Sequence, residues 1–461
     1  MRRAPFFAPI WVSALLFLSC GGGSSTPSTT FTPAGSTSLN FTIRDTPPTG
    51  VSILSFEITV TGAVLHQGTT NVSILSSPVK VEITQLQTES AFLSTQGVAP
   101  GTYDSITVTF ANPEMTILNK SGAALAGCAN GAICELKPAL NPSSVDFSQN
   151  PPFPLTLTTN TATGLLLDFN LAASVQNDLS VKPTIGFTQL PVVQNTGELE
   201  ELEDLNGQVT SVDTANSQFT IHSISSGQSF TIKVDSNTKF EDFGEAGLQN
   251  AFSSLKTGQI VEVYVKLNGS GTMVATKVEL KEAEQGKELE GTIVSVDPSL
   301  TKFDMVVLDE VPDIPGVQVG NKVTVTLQNA TFRIDNDGLN IPSDLSFARA
   351  DDLGVGQTVE VRPVSGSSGT SIVTDRVRLQ TSQFTAKVKS TSGSVFIVNN
   401  LPDLFTTAGI TEIEVRTSSQ TEFDKVSGVG ALIAGDTVSL RGLLFKTTGT
   451  RVLVAKKVRK R

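Results

Sequence analysis

Histidine is nearly absent: the 461-residue chain has two, His66 and His222, far apart in sequence. A Ser-His-Asp triad would have to be built around one lone ring, and no Gly-x-Ser-x-Gly accompanies either. Cysteine occurs three times, tryptophan once and tyrosine twice, so thiol chemistry and aromatic sugar platforms have little to draw on. Asp plus Glu outnumber Lys plus Arg by 44 to 33, a net charge of −11. That balance excludes nucleic acid as a main partner, because neutralising phosphates needs a cationic surplus. No glycine-rich phosphate loop joins a strand to a helix. No apolar run reaches the about 20 residues of a membrane-spanning helix. The expectation is a protein that is not an enzyme, has no catalytic residues and carries no cofactor.

What is present starts at the amino terminus. Arg2 and Arg3 precede an apolar stretch from Phe6 to Leu18, followed by Ser19, Cys20 and the run Gly21 to Ser25. A short basic segment before an apolar core too short to span a bilayer is the pattern of an export signal. Leu18-Ser19-Cys20 resembles the lipobox of bacterial lipoproteins, with Phe17 standing where that motif usually has Leu. The resemblance implies cleavage before Cys20 and lipidation of its thiol. Residues 1–19 are then a signal peptide, 20–36 a flexible tether, and the membrane a partner through the lipid anchor. Gly21 follows the cysteine in place of the Asp of inner-membrane lipoproteins. By the same resemblance the address is the outer membrane of a Gram-negative envelope, on its periplasmic or surface face.

Cys128 and Cys134 flank Asn130-Gly131, a hairpin-turn signal. In an exported chain such a pair reads as a disulfide across a tight loop. A redox or metal role would need a two-residue spacing or a nearby histidine, and neither is there.

Past the signal, Val, Ile, Thr and Phe alternate with polar residues and stop at Gly, Pro, Asn or Asp. Leu39–Ile43, Ile53–Thr61, Ser105–Phe110 and Leu165–Phe169 are examples. The period of two predicts strands, and an all-β chain. The second half repeats itself. Gly207 to Asp213 recurs from Gly291 to Asp297 and, more loosely, from Ala386 to Thr391. Leu255 to Val263 recurs as Leu353 to Val361 and Leu432 to Leu440. Starts 84 and then 95 residues apart mean tandem globular modules, not solenoid turns. Five or six strands in such a module leave open edges unless the sheet curls, so a small OB-like or SH3-like barrel is expected. The predicted domains are an N-terminal β-sandwich at 37–192 and β-barrels at 205–281, 288–380 and 383–461.

The Gly-x-Val start, Thr-x-Phe middle and Leu-x-x-Gly-x-x-Val-x-Val strand of the repeat resemble a bacterial domain of unknown function found in tandem in envelope proteins. The middle copy carries an insertion near Asp309–Gly320. Asp45 to Pro48, Ile58 to His66, Gly101 to Ile106 and Leu166 to Leu171 resemble a second lipoprotein domain of unknown function. That resemblance implies a β-sandwich and brings no activity with it.

Among the carboxylates, Asp45 and Asp168 are the candidates for a metal, against a reading as turn caps. Asp168 lies inside an apolar strand, and a buried carboxylate needs donors or a cation. The Asp335–Gly338 run reads as a hairpin turn between Thr331–Ile334 and Leu339–Ile341. The charged runs Glu198–Asp204 and Lys281–Glu288 read as solvated spacers. The basic tail Lys456–Arg461 reads as a solvated end, or as a contact for anionic headgroups or an acidic partner. Phe219, Phe230 and Phe240 read as core. The function these features favour is a lipid-anchored envelope protein presenting tandem β-modules for binding or spacing, with an envelope protein or polysaccharide as partner. The alternative is a small-ligand or Ca²⁺-binding N-terminal module on a β-barrel stalk.

Overall fold

Thr37–Thr46, the first strand of the computed structural model, runs parallel to Ala162–Asn170 and antiparallel to Ala91–Val98. The structure describes residues 37–46, 52–159, 161–190, 201–223, 227–246, 248–267, 272–282, 288–311, 315–336 and 338–461. The signal peptide, the tether, Cys20, Pro47-Pro48 and Asp337 lie outside the described residues. Facing the first sheet is a second, built on the long pair Ile53–Gln67 and Ser105–Leu118. Ile106, Val108 and Phe110 point into the core while Thr107 and Thr109 point out, as a period of two requires. Phe169 from the first sheet meets Phe56 and Phe110 from the second, with ring centroids 5.9 and 5.6 Å apart. Asn112 (φ 49°) and Pro113 fall in the bulge between Ala111 and Glu114, where the ladder has no need of the proline's missing N–H. The N-terminal unit is a β-sandwich. Cys128 and Cys134 are disulfide-bonded, Cα atoms 5.8 Å apart, beside the edge strand Ile133–Leu136.

Three barrels follow, each with the same pairing scheme. In the first, Glu201–Asp213 pairs with Gln218–Ser223 and with Ile260–Leu267. Ser229–Lys233 then closes the ring by running parallel to Met273–Glu282. The second repeats this with Glu288–Val296, Lys302–Val311, Lys322–Ile334, Thr358–Pro363 and the first half of Ser371–Ser392. The second half of that 22-residue strand opens the third barrel, which Val395–Asn399, Ile413–Arg416, Thr437–Phe445 and Arg451–Lys460 complete. The ring order 1-2-3-5-4, with a parallel pair joining strands 3 and 5, is OB-like rather than SH3-like. Gly258, Gly356 and Gly435 precede the fourth strand of each barrel at φ of 95°, 87° and 95°, a region that side chains disfavour.

The four units close on one another. Phe92 of the sandwich sits edge-on to Phe230 of the first barrel, 5.4 Å between centroids. The segment after the middle-copy insertion docks on the sandwich. There the Thr116 hydroxyl donates to the Gly320 carbonyl (2.6 Å), and Glu135 accepts from Asn321 Nδ2 and from the Lys322 amide (2.9 and 3.0 Å). Ser52 donates to Asp403 and Thr88 to Gln383, joining the sandwich to the third barrel.

Four local expectations are corrected by this packing. Glu201 to Asp204 already belong to the first barrel strand, so they are not a spacer. Lys281 and Glu288, the ends of the second charged run, are buried in a barrel–barrel interface, while 283–287 lie outside the described residues. The basic tail is not a loose end: it is the closing strand of the third barrel, and its Lys457, Arg459 and Arg461 reach Glu89 and the Gln87 and Asp45 carbonyls of the sandwich. Asp335–Gly338 does not lead into a second hairpin strand. Lys322–Ile334 instead runs parallel to Ser371–Ser392, because barrel closure claims its edge.

Candidate functional site

In the last strand of each barrel one valine, Val278, Val377 or Val458, is fully buried. Its neighbours on both sides must then point outward. Those neighbours are Lys277 and Glu279, Arg376 and Arg378, Lys457 and Arg459. The same outward face of each barrel is therefore charged, and it is by this face that each barrel docks.

The first and second barrels meet face to face. Lys281 Nζ lies 2.8 Å from Glu262, 2.8 Å from Glu279 and 3.0 Å from Glu360 across the junction. Glu279 also takes Lys277 at 3.2 Å and Arg378 at 3.3 Å. Arg378 pairs with Asp242, and Arg376 with Glu288. Lys277, Lys281, Arg376, Arg378, Glu262, Glu279, Glu288 and Glu360 are all buried, so cations and carboxylates balance out of water. Burial opposes the ionised form of Glu279, but Lys281, Lys277 and Arg378 outweigh it and hold the carboxyl below the ordinary range. Burial likewise opposes the charge on Lys281, and Glu262, Glu279 and Glu360 override it to push its ammonium well up. Burial, with Arg378 adjacent, brings the Arg376 guanidinium down to about 10.

The third barrel turns its face to the sandwich. Lys457 Nζ is 3.1 Å from Glu89, and Arg459 pairs with Asp424 of its own barrel. Arg461 donates to the carbonyls of Asp45 (3.1 Å) and Gln87.

The candidate metal residues take other roles. Asp168 forms a 3.0 Å ion pair with Arg44. Asp45 is fully buried and accepts from the Leu171 amide at 3.4 Å. Burial pushes its carboxyl well above the usual range, against the pull of Arg461 and the Leu171 amide. Among the described residues no three His, Cys, Asp or Glu side chains gather as a metal would need. His66 lies 2.8 Å from Asn71 Oδ1 and 2.7 Å from Thr107 Oγ1, and the Thr107 hydroxyl donates to Asp146. His222 is 3.4 Å from Ser229 Oγ. Phe219 and Phe230 are core, and Phe240 packs against that core half-buried. The docking face was not recognised in the sequence. Its trace there is the charged-Val-charged triplet in the last strand of each barrel.

Residues 36–184, the sandwich, match a family described as "Domain of unknown function (DUF4382)", and residues 206–279, the first barrel, match "Domain of unknown function (DUF5666)". No curated protein matches the chain. Among solved structures the chain is similar to a multidomain protein with nucleic acid binding domains from Streptococcus pneumoniae TIGR4. The identity is 12% and the TM-score 0.11, over 55% of this chain and 72% of that one, a likeness too slight to carry argument.

Proposed function

We propose that the chain is a non-enzymatic, lipid-anchored protein of the cell envelope. Four β-units close into one body on a tether and present a composite surface for binding or spacing at the outer membrane. The observation that carries this reading is Leu18-Ser19-Cys20 with the Gly/Ser run that follows it. The use of the charged faces supports it, since they hold barrel to barrel and barrel to sandwich instead of lining a catalytic cleft. We also read residues 288–380 and 383–461 as further copies of the domain matched at 206–279. The shared ring order and the shared charged-Val-charged triplet support that. An envelope protein or polysaccharide is the proposed partner.

Metabolic labelling with an alkyne fatty acid tests the anchor. Label on the wild type, lost in Cys20→Ser together with sedimentation in the membrane fraction, is expected. A wild-type chain with an unmodified amino terminus, recovered free of membranes, would overturn the reading. Crosslinking in intact cells tests the surface, and a chain that captures no specific partner removes binding and leaves spacing.

A further inference from the structure

We infer that the junction of the sandwich with the second barrel binds a neutral, hydroxyl-rich ligand: one or two sugar units of a polysaccharide. This rests on the polysaccharide reading of the partner above, and not on the lipid anchor. A recess of about 500 Å³ opens there between Glu57, Thr59 and Asn112 of the sandwich and Gln318 of the second barrel. That volume falls within the range of small-molecule sites, which occur preferentially where domains meet. A second hollow of about 210 Å³ adjoins it, sharing Glu114, Lys137 and Gln318.

The charge on the walls is balanced, so an ionic ligand has nothing to neutralise. Glu57 and Glu114 stand directly opposite each other on paired strands. Lys80 Nζ lies 2.6 Å from Glu57 Oε1, and Lys137 Nζ 2.7 Å from Glu114 Oε1. Each lysine engages one oxygen and leaves Oε2 for a ligand hydroxyl, in a charge-assisted bond stronger than a neutral one. Glu57 is 7% exposed. Burial raises its carboxyl above the ordinary value; Lys80 opposes the rise and Glu114 adds to it. A hydroxyl bonded in so sheltered a place meets little competition from water. In the adjoining hollow Glu135 is already taken, by Asn321 Nδ2 and the Lys322 amide.

Two amides complete the set, one from each unit. Among the described residues neither the Asn112 nor the Gln318 side chain has a hydrogen-bond partner. Asn112 is held at φ 49° by the bulge beside Pro113, a device that re-aims a side chain off the ladder. Gln318 comes from the middle-copy insertion and is set by Asn321. Asn321 Oδ1 accepts from the Gln318 backbone N–H at 2.8 Å, while its Nδ2 donates to Glu135 at 2.9 Å. A side-chain amide carries both donor and acceptor, so it can meet a sugar hydroxyl in either sense. Pro113 and Pro138 supply apolar faces in place of the Trp and Tyr that this chain nearly lacks.

Saturation-transfer NMR of the full chain tests this. The probes are neutral trisaccharides of glucose, mannose, galactose and N-acetylglucosamine, with trigalacturonate and spermidine as charged controls. Transfer to at least one neutral trisaccharide, and less to either control, is expected. Asn112→Gly keeps the left-handed backbone and removes the amide. Combined with Gln318→Ala, it should weaken binding about tenfold at an unchanged circular dichroism spectrum. If the double variant unfolds, Gln318→Ala alone decides, since Gln318 is exposed. Equal binding in wild type and variant overturns this site but leaves a polysaccharide partner. No transfer to any neutral sugar overturns both, and stronger binding of a charged control overturns the neutral ligand. None of these outcomes bears on the fatty-acid label at Cys20, which stands or falls by itself.

Discussion

Glu89 of the sandwich and Lys457 of the last strand, 368 residues apart in the chain, form a 3.1 Å ion pair that helps fasten the end of the third barrel to the first unit. Glu89 is 3% exposed, and Arg441 stands 3.6 Å from it on the other side. One buried carboxylate thus answers two cations.

Changing Glu89 to Ala takes from Lys457 and Arg441 the buried carboxylate that they share. A loss of about 3–5 kcal/mol is expected, the usual cost of breaking a buried pair from one side. Urea unfolding reads it. A variant within 1 kcal/mol of wild type would show that closure is held elsewhere.

The junction of the first two barrels makes the protein acid-sensitive. Glu279 is held below its ordinary value of 4.5, so its contribution is full above that pH and is lost as pH falls through and below it. Stability should drop steeply from pH 4.5 downward. In Glu279→Gln that slope should be shallower and stability at pH 7 lower, because Lys281 has lost a partner. Denaturation midpoints measured at intervals between pH 3 and pH 7 check both.

Glu82 acts with the opposite sign. Its carboxyl is enclosed, taking donors from Ser55, Thr84 and the Phe56 amide, and burial raises it from 4.5 to about 7. The folded state holds this proton where the unfolded chain has released it. The stabilisation is therefore full below pH 4.5 and fades as pH rises to 7, by about 3 kcal/mol at about 1.4 kcal/mol per pH unit. Asp45, also raised, adds in the same direction. Glu82→Gln keeps the shape without the charge, and should flatten that slope and exceed the wild type at pH 8. A parallel pH profile in the variant would refute the assignment.

Gly356 and Gly435 occupy the same turn in the second and third barrels but different surroundings. A Cβ at Gly356 would meet the Phe405 ring at 2.2 Å, whereas at Gly435 it would meet nothing within 4 Å. Gly435→Ala should cost only the backbone strain, about 1–2 kcal/mol. Gly356→Ala should add about 1–3 kcal/mol of overpacking by forcing the second barrel off the third. Thermal unfolding of the two variants side by side measures the difference.

The chain by itself determined what is local. Alternation with a period of two marked the strands, glycines at positive φ marked the turns, and Cys128 and Cys134 were near enough to bridge. The recurrence of Gly207–Asp213 at Gly291–Asp297 and of Gly258–Val263 at Gly356–Val361 fell on matching strands of the first two barrels. What Asp45, Asp168, Lys281 and Arg459 would meet was not legible, because the sequence shows a charge but not what faces it. Arg44 is 124 residues from Asp168, Glu360 is 79 from Lys281, and the Gln87 carbonyl that Arg459 reaches is 372 away. Only the tertiary structure brings these groups together. A charge is stable out of water only beside its counterpart, and which counterpart arrives is set by how four separately folded units meet.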